Sequence, residues 1–566
     1  MRWPHAVFVC LASLPGLADA QGGESLPLKH AAQTTTPAIT AADLMTRLYI
    51  YADDSMQGRE TGTIGDVKAT DYIAAEARRL GLVPAGDSGT YFQALPLKTR
   101  TFDTTSTFVV NGAGLTAFDD YLTFGRTPVS LASIPIVFGG VLGDTLHQLS
   151  ADQVKGKLVV LRIEGGINSL RAVRRSPVPP GAGAVALIGL ESIPPFFMAQ
   201  LRRPQTFLDD NAVQPPAAAP TFLISQAAAA KMFTTPVDSL ALGAAGLTAS
   251  IDLRYQIGPA PYPARNVVGI IRGSDPKLKG EYVAIGAHND HIGLTPRPVD
   301  HDSIRIWNHV VRPEGADDAS KQASAAQQAQ VDSLLAAYRA AHAGSARLDS
   351  ISNGADDDGS GTVTVLEIAE RMATLPKAPR RSILFVWHTG EEKGLLGSRF
   401  FTDHPTVPRD SIVAQLNMDM VGRGDPADET GRTKDGTPLH GSAGYLQLVG
   451  SRRLSTELGD LIEQINKADH HDLTFDYAMD ADGHPSNIYC RSDHYEYARY
   501  GIPITFFTTG LHSDYHQVTD EPEYIDYAHM AKVGNFVEDV AVHIANLDHR
   551  IVVDHPKPDP NGICRQ

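Results

Sequence analysis

Tyr282-Val-Ala-Ile285 runs directly into Gly286-Ala-His-Asn-Asp-His-Ile-Gly293, an apolar strand-like run that stops on two histidines and an aspartate. Three more runs end in the same way. Ser382-Ile-Leu-Phe-Val-Trp387 leads to His388-Thr-Gly-Glu-Glu-Lys-Gly394, Ile412 to Leu416 leads to Asn417-Met-Asp-Met420, and Ile504-Thr-Phe-Phe507 leads on to Leu511-His-Ser-Asp-Tyr-His516. Helical patterns over Gly361 to Met372 and Lys393 to Phe401 separate them. This alternation predicts an α/β fold with a mostly parallel central sheet flanked by helices. In such a sheet the ligand site lies outside the carboxyl ends of the strands, where these polar groups fall. A fifth group, Gly354-Ala-Asp-Asp-Asp-Gly-Ser-Gly361, immediately precedes a helix.

Each group alone has an ordinary explanation as a cap or surface residue; their convergence carries the argument. Histidines and at least three carboxylates at one sheet edge concentrate negative charge that cations would neutralise, and zinc accepts such a nitrogen and oxygen set. A carboxylate shared by two ions about 3.5–4 Å apart would complete a two-metal clamp. Glu391 and Glu392 are adjacent at a turn into a helix, so they point in different directions: one can ligate while the other stays free to move a proton. Capping of the following helix is the plainer alternative. In His288-x-Asp290 the carboxylate is placed to orient a ligating imidazole, and His291 is an alternative ligand. Gly315-Ala-Asp-Asp-Ala-Ser320 imitates the fifth group but opens into a polar Gln/Ala-rich stretch, so the copy at 354–361 is preferred.

Outward from this core, Ala41 to Gly81 holds two helical patterns split by the turn-rich run from Gln57 to Gly65. Residues 126–255 change to short β-rich runs such as Ile134-Pro-Ile-Val-Phe138 and Ala184-Val-Ala-Leu-Ile188, which read as an inserted module dividing the main domain into 21–125 and 260–566. A further insertion, 296–350, carries an expected helix within 318–345. Acidic residues outnumber basic ones by 65 to 49, for a net charge of -16 with no basic cluster, which argues against nucleic acid as a partner. Residues 1–20 read as a signal peptide, with Arg2, an apolar run and Ala18-Asp19-Ala20 in order, and nothing later is apolar enough for a membrane span. The expected product is exported, periplasmic or secreted. Without Cys10 the chain keeps Cys490 and Cys564, too few for a thiolate zinc site and free to pair or not. The chain has no H-E-x-x-H, G-x-S-x-G or G-x-x-x-x-G-K-[ST].

These motifs resemble the co-catalytic di-zinc aminopeptidases, relatives of glutamate carboxypeptidase, glutaminyl cyclase and the inert transferrin receptor. The resemblance begins at Gly58-Arg-Glu-Thr-Gly62 and Tyr91-Phe-Gln-Ala94 and resumes from Asn266 to about Asp526. It implies two Zn2+ ions, one held by His288, Asp357 and Asp419, the other by Asp357, Glu392 and His516. Glu391 is then the general base and Asp290 the partner of His288. The resemblance also ranks His291 below His288 as a ligand. Ser492-Asp-His494 resembles a recurrent run to which a structural hydrogen-bonding role is assigned. The β-rich insert resembles a protease-associated domain, with Val154-Lys-Gly-Lys-Leu-Val-Val160 its best-matching piece. The implied activity is an aminopeptidase acting on peptides. A carboxypeptidase using Arg423 or Arg491 for a substrate carboxylate is the rival within the family, and a non-catalytic binding protein is the rival outside it.

Overall fold

The computed structural model describes residues 34–566 apart from 124, 126, 145, 165–180, 194–197, 199–200, 210–218, 319–321 and 343–345. The expected signal peptide, 1–20, lies outside the described residues. The chain forms two compact units. One comprises the described residues up to Leu95 together with Tyr262–Gln566, and the other is Pro96–Pro261.

The first unit is built on a nine-stranded sheet. At its centre Ser382–His388, Tyr282–His288, Ile412–Met418 and Ile504–Thr508 lie side by side and parallel. Tyr282–His288 comes first in sequence yet sits between the next two strands, so the winding reverses direction at that strand, the place where an open α/β sheet leaves a crevice. The flanks are antiparallel: Ala264–Ile271 pairs with Ser382–His388 on one side, and Tyr445–Val449 with Ile504–Thr508 on the other. The sheet is therefore mixed, with a parallel centre.

Both faces of that centre are apolar, which is why its strands read as continuous hydrophobic runs. Val283, Ile285, Phe385 and Trp387 pack on the face covered by the helices Gly361–Ala373 and Tyr527–Asn546. Ala284, Leu384 and Val386 alternate to the opposite face, where they join Phe401 from the helix Leu396–Asp403. That helix starts later than 393 because Gly394 and Leu395 both have positive φ, which no helix continues through. The 296–350 insertion has an antiparallel stem, Gly293–Asp300 with Leu348–Ser352. It carries the expected helix as Ala325–Ala341, started by a reciprocal Ser324 and Gln327 cap.

The second unit holds an eight-stranded and a three-stranded sheet. It begins at Pro96, earlier than 126, because Leu97–Phe102 pairs with Tyr255–Pro259 and Thr107–Val110 pairs with Ala245–Leu253. Cys490 and Cys564 form a disulfide in the first unit, with Cα atoms 5.8 Å apart. No helix among the described residues is long and apolar enough to cross a membrane.

Candidate metal centre

Strand register sets up the site. His288 aligns with His388, and Gly286 with Asn417, so the polar groups that follow each strand emerge at one level on the carboxyl edge. There His288 Nε2 lies 3.1 Å from Asp357 Oδ1 and 3.7 Å from Asp419 Oδ1. His516 Nε2 lies 3.0 Å from Asp357 Oδ2 and 3.0 Å from Glu392 Oε2. Asp357 thus presents one oxygen to each group. All five sequence-predicted ligands meet, and Glu391 lines the same cavity as Asp357, Asp419 and His516.

The 354–361 loop is held in place by its backbone. Asp520 accepts the N–H groups of Asp356 and Asp357, at 3.0 and 3.1 Å. Asp356 in turn accepts from Gly422 N at 2.7 Å and faces His512 Nε2 at 3.2 Å. Asp358 is committed to three backbone donors, His288 N, Gly361 N and Met420 N, which makes it a brace between strands. Asp419 receives the Ser492 hydroxyl at 2.7 Å, and Asn417 donates to that hydroxyl at 3.0 Å, which accounts for Ser492 as a positioning group.

Asp290 differs from the expected arrangement. His288 Nδ1 is 3.1 Å from the Asp290 backbone carbonyl and 3.7 Å from its carboxylate. The carboxylate instead accepts the Thr61 hydroxyl at 2.6 Å and the backbone N–H of Glu391 at 3.1 Å. The main chain, not the acid, is the nearer partner of the imidazole, and the acid fixes the Glu391 turn. His291, read from sequence as a substitute for His288, is present beside it: its Nδ1 lies 2.9 Å from Glu392 Oε1. The imitating aspartate Asp317 is not in the cluster, and receives Arg491 Nη2 at 3.0 Å.

Electrostatics separates the two adjacent glutamates. Burial drives the Glu391 carboxyl well above the usual carboxylate range; Glu392 and Asp419 add to the rise and His288 opposes it. Burial would also raise Glu392, but His516 overrides it and brings that carboxyl down to about 2. Burial disfavours protonation of His288, yet Asp419, Asp290 and Asp357 hold it well above the ordinary imidazole value. Two neighbouring carboxyls pushed apart in this way suit one to fixed negative charge and the other to proton exchange.

The residues fit a metal. Asp357 Oδ2, Glu392 Oε1 and both ring nitrogens of His291 are buried without a hydrogen-bond partner. His291, Asp357, Glu392 and His516 place one donor atom each within 4.8 Å of one another, as do His288, Asp358 and Asp419. Nitrogen and carboxylate oxygen donors in these numbers match zinc.

A sheet edge of this composition brings together side chains that could hold metal ions through nitrogen and carboxylate oxygen. Residues 266–541, the segment that carries the parallel centre and all five predicted ligands, match the model of peptidase family M28. Among curated proteins, the chain is similar to leucine aminopeptidase 1 of Aspergillus oryzae, with 28% identity over 34% of this chain and 47% of that protein. Leucine aminopeptidase 1 of Coccidioides posadasii is 36% identical over 27% of this chain and 36% of that protein. The chain thus spans half or less of the length of these relatives. Among solved structures it is similar to an aminopeptidase from Aneurinibacillus sp. strain AM-1, at 15% identity, 92% and 97% coverage and a TM-score of 0.48. A zinc aminopeptidase from Bacillus subtilis matches at 17% identity, 89% and 95% coverage and a TM-score of 0.44.

Proposed function

We propose that the chain is an exported, zinc-dependent aminopeptidase that hydrolyses peptides with Glu391 as general base. The observation that carries this reading is the sharing of Asp357 between the His288/Asp419 and Glu392/His516 groups, with Glu391 beside them on the cavity wall. Two zinc ions would be held by these groups, and an ion with an open position would polarise the scissile carbonyl and make water nucleophilic near neutral pH. Asp290 fixes the Glu391 backbone, so the Glu391 carboxylate is aimed into the cavity to take the proton of the attacking water and pass it to the leaving amine.

Two arginines bear on which end of the substrate is read. Arg423 donates to Asp514 at 3.0 Å and to the Tyr524 carbonyl at 3.1 Å, and Arg491 is held by Asp317. Guanidiniums already committed to protein partners favour an aminopeptidase over a carboxypeptidase. The cavity wall formed by Met420, Met479, Ile488, Phe506 and Leu511 supports a preference for apolar side chains, in keeping with the names of the curated relatives. The disulfide supports export to an oxidising compartment. The β-rich unit 96–261 is read as the protease-associated module.

Purified protein would be assayed for metal and for cleavage of matched peptides with free or acetylated N-termini and free or amidated C-termini. The expected result is bound zinc and cleavage that requires the free amine. Cleavage requiring the free carboxylate would replace the reading with a carboxypeptidase, and a metal-free, inactive protein after zinc addition would replace it with a binding role. Glu391→Gln is expected to keep its metal and lose about 10²–10⁴-fold in kcat; near-normal turnover would remove Glu391 as the base.

A further inference from the structure

His291 has no place in the five-ligand scheme, yet it is among the most completely enclosed side chains of the site. It is 0% exposed and neither ring nitrogen has a hydrogen-bond partner. Leaving such a group unsatisfied costs about 1–3 kcal/mol. Nδ1 approaches Glu392 Oε1 to 2.9 Å without hydrogen-bond alignment and Asp357 Oδ2 to 3.7 Å, and the ring centre is 5.6 Å from that of His516.

The backbone is shaped to admit this ring. Gly354 has φ +56°, and a Cβ there would fall 2.5 Å from His291 Cγ and 2.6 Å from Cδ2. Only glycine leaves room for the imidazole against the 354–361 loop. From the other side the His291 N–H donates to the Arg59 carbonyl at 3.2 Å, anchoring the residue to the entry segment. Two separate parts of the chain therefore hold His291 against Asp357 and Glu392.

We propose that His291 Nδ1 is an additional metal ligand, which completes a four-donor set with Asp357, Glu392 and His516, whereas His288, Asp357 and Asp419 supply three donors to the other ion. This rests on the two-zinc reading given above. Tetrahedral zinc with bonds of about 2.0–2.1 Å separates its donors by about 3.3 Å. The contacts of 2.9, 3.0, 3.0 and 3.7 Å among the four side chains straddle that spacing. A site closed by four protein donors is structural in character, and one with three keeps a position for substrate or water. The two positions therefore differ in affinity: the His291 position fills first and empties last, and the His288 position is the exchangeable one.

Metal-stripped wild-type protein loaded with one equivalent of zinc would be studied by X-ray absorption. Two imidazoles per zinc, from His291 and His516, are expected at one equivalent, and three imidazoles shared by two ions at two equivalents. One imidazole per zinc at one equivalent, or two over two ions, would overturn the proposal. In calorimetric titration, His291→Ala is expected to weaken the tighter binding step by more than about 100-fold, beyond the range for groups that only orient a ligand. The weaker step should not move. Unchanged affinities in His291→Ala would overturn the proposal while leaving the two-zinc reading in place; a wild-type protein that binds no zinc would overturn both. The wild-type absorption measurement stands whether or not the variant folds.

Discussion

Two sheets in this chain contain four neighbouring parallel strands, but among the described residues only the first gathers a cluster of ligand-type side chains at its carboxyl edge. In the first unit the strands end at His288, His388, Met418 and Thr508, within a few residues of Glu391, Glu392, Asp419 and His516. In the second unit Val129–Val141, Leu158–Arg162, Ala184–Ile188 and Thr221–Ile224 are also parallel neighbours, and they run out into Leu142, Ile163, Gly189 and Ser225. The cores of the two sheets are equally apolar, with Val160, Ala186 and Phe222 as enclosed as Ile285 and Phe385. A parallel centre offers a convergent edge, and the residues placed there decide whether the edge has chemistry.

The largest effect should come from removing the carboxylate that both groups share. Asp357→Ala is expected to bind less than one zinc per chain and to reduce peptide hydrolysis to background, as measured by metal analysis and turnover on the same sample. The backbone N–H of Asp357, held by Asp520, is kept in this variant. A fully loaded Asp357→Ala protein would show that the edge of the first sheet does not work through a shared ligand, and the contrast with the second sheet would lose its basis.

Acid should also distinguish the two units. His494 is fully buried, its ring stacked on Phe506 with centroids 4.7 Å apart, and burial lowers its pKa from the ordinary 6.5 to about 3. The unfolded chain takes up a proton at this histidine near pH 6.5 and the folded chain only near pH 3. Stability is therefore lost as pH falls through that window, by about 1.4 kcal/mol per pH unit. Residues 96–261 contain a single histidine, His147, which is exposed. Urea unfolding of metal-free protein between pH 7 and 5 is expected to show a shallower acid loss in His494→Phe than in wild type. An identical slope would mean that other groups set the acid response of the first unit.

How much of this was legible in the sequence depended on range. Apolar runs ending in His, Asp and Glu disclose the parallel centre and the polar groups at its edge, because burial on both faces leaves an unbroken hydrophobic signal and the edge follows it directly, whereas Asp357 as a shared ligand is an expectation from the family resemblance. Tyr445–Val449 is not legible as a strand, since its antiparallel place beside Ile504–Thr508 is a tertiary fact. The same holds for the Asp520 carboxylate under the Asp356 and Asp357 amides, and for the Asp317 partner of Arg491. The spacing of Asp290 from His288 is legible, but which of its oxygens faces the imidazole depends on how the chain turns after the strand. His291 was read as a substitute because spacing permits either histidine. Only Gly354, far along the chain, reveals that both are accommodated.

The smallest effect concerns the carboxyl edge of the second sheet, where no ligand cluster is found among the described residues. After Thr221–Ile224, Ser225 accepts the backbone N–H of Ala228 at 3.0 Å and so starts the helix Gln226–Met232. Its position just past a strand end matches that of the candidate site residues in the other sheet, but its local geometry is that of an N-cap. Ser225→Ala is therefore expected to cost about 1 kcal/mol, visible in denaturant unfolding of the second unit, with zinc content and kcat unchanged. A Ser225→Ala protein of wild-type stability but altered turnover would mean that the second edge bears on catalysis after all, and that strand ends there carry function as well as structure.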